Sequence, residues 1–269
     1  MTRTAKRTED LRGRVLGHFQ NLRVPLRPED LDGVLAKAER EGLSHLAFLD
    51  ELLGEQADLR RERSIERRIR AARFSEQKTL EGFDWEFNRQ AIDRVQIEEL
   101  ATAAFIRRKD NLLIVGQSGV GKSHLVQAIG MRNCSAGYSV RYTTSAELIE
   151  TLTSALADKG LPKKLRQYTR PELLIVDEFG FDRIERMESP QSASLFYKVV
   201  DQRHGKGSIA LVTNINFDAW GQYLGDAPLS MALLDRLVHH ATIIKIPDKA
   251  KSYRAAAAKR RNTSRQARS

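Results

Sequence analysis

The sequence predicts an α/β domain in which a parallel sheet is covered by helices on both faces, with a small all-helical N-terminal domain ahead of it. From residue 111 onward, short apolar runs alternate with segments of helical periodicity, which is the pattern of parallel strands joined by crossover helices. Residues 1–75 instead carry apolar residues at helical spacing. We therefore predict a helical domain with a basic linker at 1–75, the α/β domain at 76–248 and a basic tail at 249–269.

The composition indicates a sizeable core and a polyanionic partner. Of the 269 residues, 41% are hydrophobic, and the formal net charge is +10, which favours partners such as nucleic acid. The chain has one cysteine, Cys134, so it can form no internal disulfide and suits a reducing cytoplasm. Its sequence contains neither an apolar run long enough to span a bilayer nor a signal-peptide pattern. We expect a cytoplasmic protein without a membrane partner.

The positive charge is concentrated in two segments. Residues 60–73 carry seven arginines against two glutamates, a net +5, and residues 249–269 carry eight basic residues and no acid, a net +8. We interpret the first segment as a contact to the DNA phosphate backbone; a solvated helix face with Glu–Arg pairs is the alternative. The candidate DNA contacts there, called the linker arginines below, are Arg67, Arg68, Arg70 and Arg73. Lys163 and Lys164 belong to a smaller basic cluster and are further candidates, although ordinary surface is the favoured interpretation.

Three helices are predicted in the N-terminal domain. Residues 10–19 place their apolar side chains on one face. A second helix begins at Pro28 and ends at Gly42, because proline is favoured in the first turn and glycine just past the last. Ser44 can cap a third helix. Beyond Leu53 the pattern turns polar and arginine-rich, which predicts a basic helix or linker.

An aromatic segment precedes the α/β domain. Phe83, Trp85 and Phe87 alternate along the chain and could cover a nucleotide base. Packing at the domain edge is the favoured interpretation, because aromatic side chains are core residues first. A helix is then predicted over residues 91–106.

The first strand of the α/β domain leads into a glycine-rich loop and a helix. Residues 112–115 are apolar, and residues 116–123 match the spacing GxxxxGK[ST] of the phosphate-binding loop, or P-loop, in full. Glycines let successive N–H groups point at a phosphate, and the helix N-terminus adds positive potential there. Lys122 can reach the β- and γ-phosphates of ATP, and the Ser123 hydroxyl can ligate Mg²⁺. The candidate nucleotide-binding residues are Gly116, Gln117, Ser118, Gly119, Val120, Gly121, Lys122, Ser123 and His124.

Two further strands end in polar residues that suit phosphate chemistry. The apolar strand 173–176 is followed by Asp177 and Glu178, at the edge where parallel sheets bind ligands. Asp177 suits outer-sphere coordination of Mg²⁺ and Glu178 suits a general base for water, whereas a helix-capping pair is the alternative. Asn214 ends the strand predicted at 207–214 and can orient water or contact the γ-phosphate; a turn-forming asparagine is the alternative.

The remaining pattern completes a β-α alternation. Strands are predicted over 138–142 and 241–246, and helices over 145–156, 189–202 and 232–239. The last of these helices holds Arg236 among apolar neighbours. A separate strand that ends in asparagine follows the Asp-Glu strand, which matches the additional-strand P-loop ATPases better than nucleoside kinases. After about residue 260 the composition is typical of disorder.

From about residue 65 to 254 the sequence resembles the IstB-like transposition helper ATPases, relatives of the DnaC helicase loader in the AAA+ class. The P-loop and the Asp-Glu strand specify only an ATPase, whereas KTLEGFDW (78–85) and LLDRLVHHA (233–241) specify the family. The other matching stretches are RIRAARF (68–74), QIEELATAAFI (96–106), GQSGVGKSHL (116–125), AGYSVRYTTSAEL (136–148), RPELLIVDEFG (170–180), GSIALVTN (207–214) and SYR (252–254).

The resemblance implies a function and partners. Asn214 matches the sensor residue of the class, and Arg236 matches the arginine that reaches the ATP of a neighbouring subunit. A ring or spiral homo-oligomer with nucleotide between subunits is therefore expected, and a local ion pair is the alternative for Arg236. The family helps a separate DDE transposase to select and use target DNA, so the expected partners are duplex DNA, a DDE-type transposase and further copies of the chain, with ATP and Mg²⁺ as ligands.

The expected mechanism is ATP-dependent assembly on duplex DNA, with slow hydrolysis as the release step. Its catalytic residues are Lys122, Asp177, Glu178, Asn214 and Arg236, and Ser123 and Asp177 hold the metal. A replicative helicase loader and a DNA-coating adaptor with ATP as a structural ligand are the rival functions.

Two segments depart from the family pattern. They are residues 183–190 and the Ala- and Arg-rich tail, which keeps the SYR stretch. We identify no second sensor arginine in a C-terminal helical lid, because little chain remains after Ile246.

Overall fold

The computed structural model of the protein describes residues 3–157, 159–181 and 190–256. Residues 183–189 of the first departing segment and most of the basic tail therefore lie outside the described residues. Contacts divide the chain into two compact units, 1–66 and 67–269. Among the described residues, no helix is both long and apolar enough to cross a membrane.

The N-terminal unit contains the three predicted helices, α1 (Arg3–Asn21), α2 (Pro28–Glu41) and the start of α3 (His45–Ala72). Pro28 opens α2, and Gly42 ends it with a left-handed backbone whose N–H donates to the Ala38 carbonyl. The Ser44 hydroxyl accepts the N–H of Ala47, as expected of a helix cap. The basic stretch continues α3 to Ala72, so it is helical.

The second unit contains a five-stranded sheet with all strands parallel, in the order β2-β3-β4-β1-β5. Its helices and strands have the following bounds: α4 Arg94–Leu100, α5 Ala104–Arg108, β1 Asn111–Val115, α6 Lys122–Ser135, β2 Val140–Thr144, α7 Ser145–Ala157, α8 Leu161–Thr169, β3 Leu173–Phe179, α9 Pro190–Arg203, β4 Ser208–Thr213, a 3₁₀ turn Phe217–Ala219, α10 Trp220–Leu224, α11 Ala227–Val238 and β5 Ala241–Lys245.

Each face of the sheet packs against a layer of helices. Successive residues of a strand point to opposite faces, and Leu112 and Ile114 accordingly join the cluster that contains α6, whereas Leu113 joins the cluster that contains α7, α9 and α11. Strands β1 and β4 are buried along their whole length. The predicted α/β fold with helices on both faces is confirmed.

Two predicted boundaries were wrong for local reasons. The helix predicted over 91–106 is split into α4 and α5, because Ala103 has a left-handed backbone with φ of 63°. The strand predicted over 138–142 begins at Val140 instead, since the N–H of Tyr138 still donates to Asn133 at the end of α6.

Two helix starts were also missed. Helix α8 was not predicted; Pro162 lies in its first turn, where proline is tolerated. Helix α11 begins at Ala227, earlier than predicted, because the Asp226 side chain caps it by accepting the N–H of Leu229.

Candidate functional site

A cavity of about 470 Å³ lies at the carboxyl edge of the sheet. Parallel sheets commonly bind ligands at this edge. The lining residues come from the aromatic segment, the P-loop, the ends of β3 and β4, and the segment after β5. They are Glu76, Lys78, Gly82, Phe83, Asp84, Phe87, Asn88, Ser118 to His124, Gln127, Asp177, Glu178, Phe181, Val212 to Asn214, Tyr253 and Arg254.

The P-loop requires glycine at two positions. Gly119 and Gly121 have φ of 83° and 101°, a backbone conformation that other residues rarely adopt. A Cβ at Gly119 would lie 2.3 Å from the Ser252 Oγ, and one at Gly121 would lie 2.8 Å from the Phe83 ring. The loop is thus enclosed by the aromatic segment on one side and by the segment after β5 on another.

Lys122 is held by the loop itself. Its ammonium donates to the main-chain carbonyls of Gly116 at 2.6 Å and Gln117 at 2.8 Å, and the residue is 8% exposed. Burial lowers the pKa of this ammonium to about 8, whereas the Asp177 carboxylate opposes the shift and Arg254 adds to it. A buried ammonium and an arginine beside one cavity form a site that favours a polyanion.

A β-bulge places the two acidic residues of β3. Val176 pairs with Leu211, and Phe179 pairs with Thr213. Between these pairs β3 therefore has one more residue than β4. Adjacent residues of a regular strand point to opposite faces, but here Asp177 and Glu178 both line the cavity. Glu178 has φ of 61°, and it is exposed, whereas Asp177 is 1% exposed.

The buried carboxylate of Asp177 accepts two hydrogen bonds. The Tyr142 hydroxyl donates to Oδ2 at 3.0 Å, and the main-chain N–H of Glu178 donates to Oδ1 at 2.8 Å. The Ser145 hydroxyl donates to the Glu178 carbonyl at 3.3 Å. These bonds orient the Asp177 carboxylate and support the backbone of the bulge.

Asn214 lies directly after β4 and lines the same cavity. It is adjacent to the end of β3, because a Cβ at Gly180 would lie 2.9 Å from the Asn214 Oδ1. The structure therefore brings Asn214 together with Asp177, Glu178 and the P-loop.

The structure places Arg236 elsewhere, outside the cavity that the described residues form. Its guanidinium donates to Asp201 at 2.9 Å and to the Ala232 carbonyl at 3.3 Å, and it lies 4.9 Å above the Tyr197 ring. The Arg236 and Asp201 side chains are 27% and 48% exposed. Within one chain, Arg236 therefore forms a local ion pair with Asp201.

Two of the predicted nucleotide-binding residues support the P-loop and are not part of the cavity wall that the described residues form. In the described part of the chain, the cavity wall includes Ser118 to His124 but neither Gly116 nor Gln117. The Gln117 side chain donates to the Asp248 carbonyl at 2.9 Å. His124 lines the cavity and lies 2.8 Å from the Thr79 carbonyl through its Nε2.

The aromatic segment both packs and lines the site. Trp85 packs against the core and donates from its indole N–H to the Leu80 carbonyl at 3.1 Å. Phe83 packs against the same core but also lines the cavity, as does Phe87. Packing therefore describes part of this segment, and contact of Phe83 and Phe87 with a base stays a prediction.

The segment after β5 contributes side chains that the sequence analysis missed. Asn88 donates to the Lys251 carbonyl and accepts the Lys251 N–H, both at 3.0 Å, and the Tyr253 N–H donates to the Gly119 carbonyl at 2.9 Å. These bonds hold Tyr253 and Arg254 at the cavity wall. The sequence signal for this contribution was SYR (252–254), because this stretch matched the family although the rest of the tail did not.

The candidate DNA contacts are separate from the cavity. Of the linker arginines, Arg68 is half-buried and the other three are exposed; Lys163 and Lys164 are exposed on α8. None of these six side chains lines the cavity that the described residues form.

The sequence matches the model of the family described as IstB-like ATP binding protein over residues 19–262, which is most of the chain. The chain belongs to this family. Among its relatives, "Insertion sequence IS21 putative ATP-binding protein" of Pseudomonas aeruginosa is 38% identical over 224 residues, covering 83% of this chain and 82% of that one. "Insertion sequence IS5376 putative ATP-binding protein" of Geobacillus stearothermophilus is 34% identical over 245 residues, covering 91% and 94%.

Solved structures confirm the AAA+ fold of this IstB family member. AMPPCP-bound DnaA from Aquifex aeolicus has a TM-score of 0.52 at 21% identity and covers 65% of this chain and 51% of its own. DnaI has a TM-score of 0.53 at 19% identity and covers 64% of this chain and 92% of its own. At these identities the likeness concerns the fold alone.

Proposed function

We propose that this protein is an ATPase that assembles on duplex DNA with ATP and helps a DDE-type transposase of an insertion sequence to select target DNA. The observation that carries the proposal is the cavity in which the P-loop, Asp177, Glu178 and Asn214 meet. The association with insertion sequences in the names of the relatives supports the biological setting.

The nucleotide phosphates would bind against the main-chain N–H groups of residues 119–123, at the N-terminus of α6. In this mode Lys122 exchanges the Gly116 and Gln117 carbonyls for phosphate oxygens, and the guanidinium of Arg254 approaches the phosphates from the segment after β5. The Phe83 and Phe87 rings offer apolar contact for the base on the adjoining wall.

The donor set fits Mg²⁺. The Ser123 hydroxyl and the Asp177 carboxylate both line the cavity, and hard oxygen ligands together with phosphate oxygens are what Mg²⁺ prefers. When bound, the cation supplies charge neutralisation on the β- and γ-phosphates. Asp177 would hold it while its own carboxylate stays oriented by Tyr142 and the Glu178 N–H.

Hydrolysis would use Glu178 and Asn214. The exposed Glu178 lines the cavity with the buried Asp177 at the bulge, and a carboxylate at this position suits a general base that accepts a proton from water. The Asn214 amide, at the end of the neighbouring strand, would orient that water or contact the γ-phosphate.

Arg236 would complete the site of a neighbouring subunit. An arginine that lies outside its own cavity can reach a nucleotide only at the site of another copy, and its ion pair with Asp201 is partly exposed. Such pairs contribute about 0–1 kcal/mol, so releasing the guanidinium toward a γ-phosphate costs little. The linker arginines would contact the phosphates of duplex DNA without reading base sequence.

The proposal is tested by measuring DNA binding and turnover together. Duplex DNA should sediment with the wild type in Mg²⁺ and ATP but far less with ADP. Lys122→Ala should lose nucleotide binding, whereas Glu178→Gln should bind ATP and remain assembled on DNA because it cannot hydrolyse. Hydrolysis by Glu178→Gln at the wild-type rate would remove Glu178 as the base.

Partner capture separates the rival functions. A purified DDE transposase and a replicative helicase hexamer should be offered to the ATP-bound protein on DNA. Retention of the transposase alone supports the transposition function, and retention of the helicase alone would replace it with helicase loading. Absence of turnover with and without DNA would favour a DNA-coating adaptor.

A further inference from the structure

A chain of polar contacts connects the segment after the linker arginines to the candidate metal carboxylate. The Ser75 hydroxyl, which has one hydrogen, is placed to donate it either to Gln127 Oε1 at 3.1 Å or to the Tyr142 hydroxyl oxygen at 3.4 Å. The Glu76 N–H donates to the same Gln127 oxygen at 3.0 Å. The Tyr142 hydroxyl in turn donates to Asp177 Oδ2 at 3.0 Å. All of these residues belong to the second compact unit.

The interior part of this chain is buried. Gln127, Tyr142 and Asp177 are 2%, 5% and 1% exposed. A buried hydrogen bond is expensive to break, because water does not replace the missing partner. The hydrogen bond from Tyr142 to Asp177 is therefore buried, whereas Ser75, which lies between Gln127 and Tyr142, is exposed.

The sheet explains why a tyrosine reaches Asp177. Tyr142 on β2 pairs with Ile175 on β3, and Asp177 lies two residues further along the same face. A long side chain can reach such a diagonal neighbour, whereas a serine or threonine cannot. The ring of Tyr142 also packs against Phe74, with ring centroids 6.0 Å apart. Ring packing and the hydrogen bond to Asp177 therefore both restrict the position of the Tyr142 hydroxyl.

We propose that Tyr142 is a positioning residue for Asp177, and that Ser75 and Gln127 tie it to the segment that follows the linker arginines. Ser75 lies two residues after Arg73, the last of these arginines. Movement of this segment would therefore alter the orientation of the Asp177 carboxylate and the strength with which it holds Mg²⁺. This inference rests on the proposed function, because it names how DNA contact would regulate the nucleotide site.

The first test compares two buried tyrosines. Full-length wild type, Tyr142→Phe and Tyr168→Phe are titrated with Mg²⁺ in the presence of a fluorescent ADP analogue. Tyr168 is a matched control, since it is buried and its hydroxyl has no hydrogen-bond partner among the described residues. Loss of a hydrogen-bond partner of a metal ligand typically weakens metal binding about 10- to 100-fold, and the low end applies here because Asp177 suits outer-sphere coordination. We expect Tyr142→Phe to need about tenfold more Mg²⁺ for half-saturation, with unchanged analogue affinity in EDTA and unchanged behaviour of Tyr168→Phe.

Each other outcome overturns the positioning role. A Mg²⁺ requirement of Tyr142→Phe within about twofold of the wild type would contradict it, since outer-shell losses are larger. Weaker analogue binding in EDTA as well would indicate a general structural defect. If the wild type itself fails to bind the analogue, the proposed function falls together with this inference, whereas normal binding with identical Mg²⁺ dependence removes this inference alone.

The second test concerns the tie to Ser75, an exposed residue whose replacement leaves the core unchanged. Ser75→Ala should raise the Mg²⁺ requirement about threefold in the wild type but not in the Tyr142→Phe background, because coupled residues are non-additive. Duplex DNA should shift the Mg²⁺ requirement of the wild type and not that of Ser75→Ala. Additive effects of the two substitutions, or equal responses to DNA, would contradict the tie.

Discussion

Raising the pH from 7.5 to 8.5 is expected to increase the number of protons that nucleotide binding takes up. The group responsible is Lys122, whose ammonium donates to the Gly116 and Gln117 carbonyls and whose pKa is lowered to about 8 by burial. Phosphate oxygens stabilise the charged ammonium, so its pKa rises when a nucleotide binds. Binding therefore draws a proton from solution whenever the free protein holds Lys122 neutral.

The magnitude follows from the pKa of the free protein. With a free pKa of about 8 and a bound pKa well above 9, binding takes up about 0.2 proton at pH 7.5 and about 0.8 proton at pH 8.5. The sign is fixed, because the bound state holds more protons than the free state. The apparent affinity for the nucleotide should accordingly fall as the pH rises above 8. It should stop falling once the pH exceeds the pKa of Lys122 in the nucleotide-bound state.

Isothermal titration calorimetry measures this uptake directly. ADP is titrated into the protein in two buffers of different ionisation enthalpy at each pH, and the difference in apparent enthalpy gives the number of protons. Uptake below about 0.1 proton at both pH values would refute the reasoning, since it would mean that Lys122 stays charged in the free site.

Three further predictions concern DNA, nucleotide and stability. Replacing the linker arginines by glutamine should weaken duplex DNA binding more than deleting residues 255–269 does. It should also flatten the plot of log binding constant against log salt concentration by about 0.9 for each DNA phosphate that is no longer neutralised. An unchanged slope would contradict a phosphate contact. Arg254→Ala should weaken binding of the fluorescent ADP analogue about tenfold, because a charge-assisted hydrogen bond is removed, whereas Arg166→Ala, an exposed control, should not. Arg203→Met should lower the free energy of unfolding by about 2–4 kcal/mol, because the buried guanidinium donates to four main-chain carbonyls; a decrease below about 1 kcal/mol in a urea titration would argue against this role.

The parts of the fold that depend on local pattern were predictable from the sequence. The P-loop is specified by eight consecutive residues, and the apolar run before it can only be a buried strand in that context. The apolar runs that precede Asp177 and Asn214 were recognised as strands for the same reason, since parallel strands buried on both faces are apolar throughout. These elements contain about half of the residues that line the cavity.

The parts that depend on distant contacts were not predictable. The bulge that turns Glu178 into the cavity results from the pairing of β3 with β4, which no local pattern reveals. Tyr142 was predicted only as a strand residue, because its contact with Asp177 exists only when β2 lies beside β3. Likewise, Arg254 reaches the cavity because Asn88, far away in sequence, binds the main chain of Lys251.

The central claim is that ATP is hydrolysed at sites shared between neighbouring subunits on DNA. Lys122→Ala and Arg236→Ala should each be inactive alone, the first for lack of nucleotide and the second with ATP affinity preserved. Mixed in equal amounts on duplex DNA, random assembly gives about a quarter of the interfaces both an intact P-loop and an intact arginine, and an arginine finger is worth about 10³- to 10⁵-fold in rate. Recovery of up to a quarter of the wild-type ATPase rate is therefore predicted. No recovery, with mixed oligomers demonstrated by pull-down of differently tagged subunits, would contradict the account.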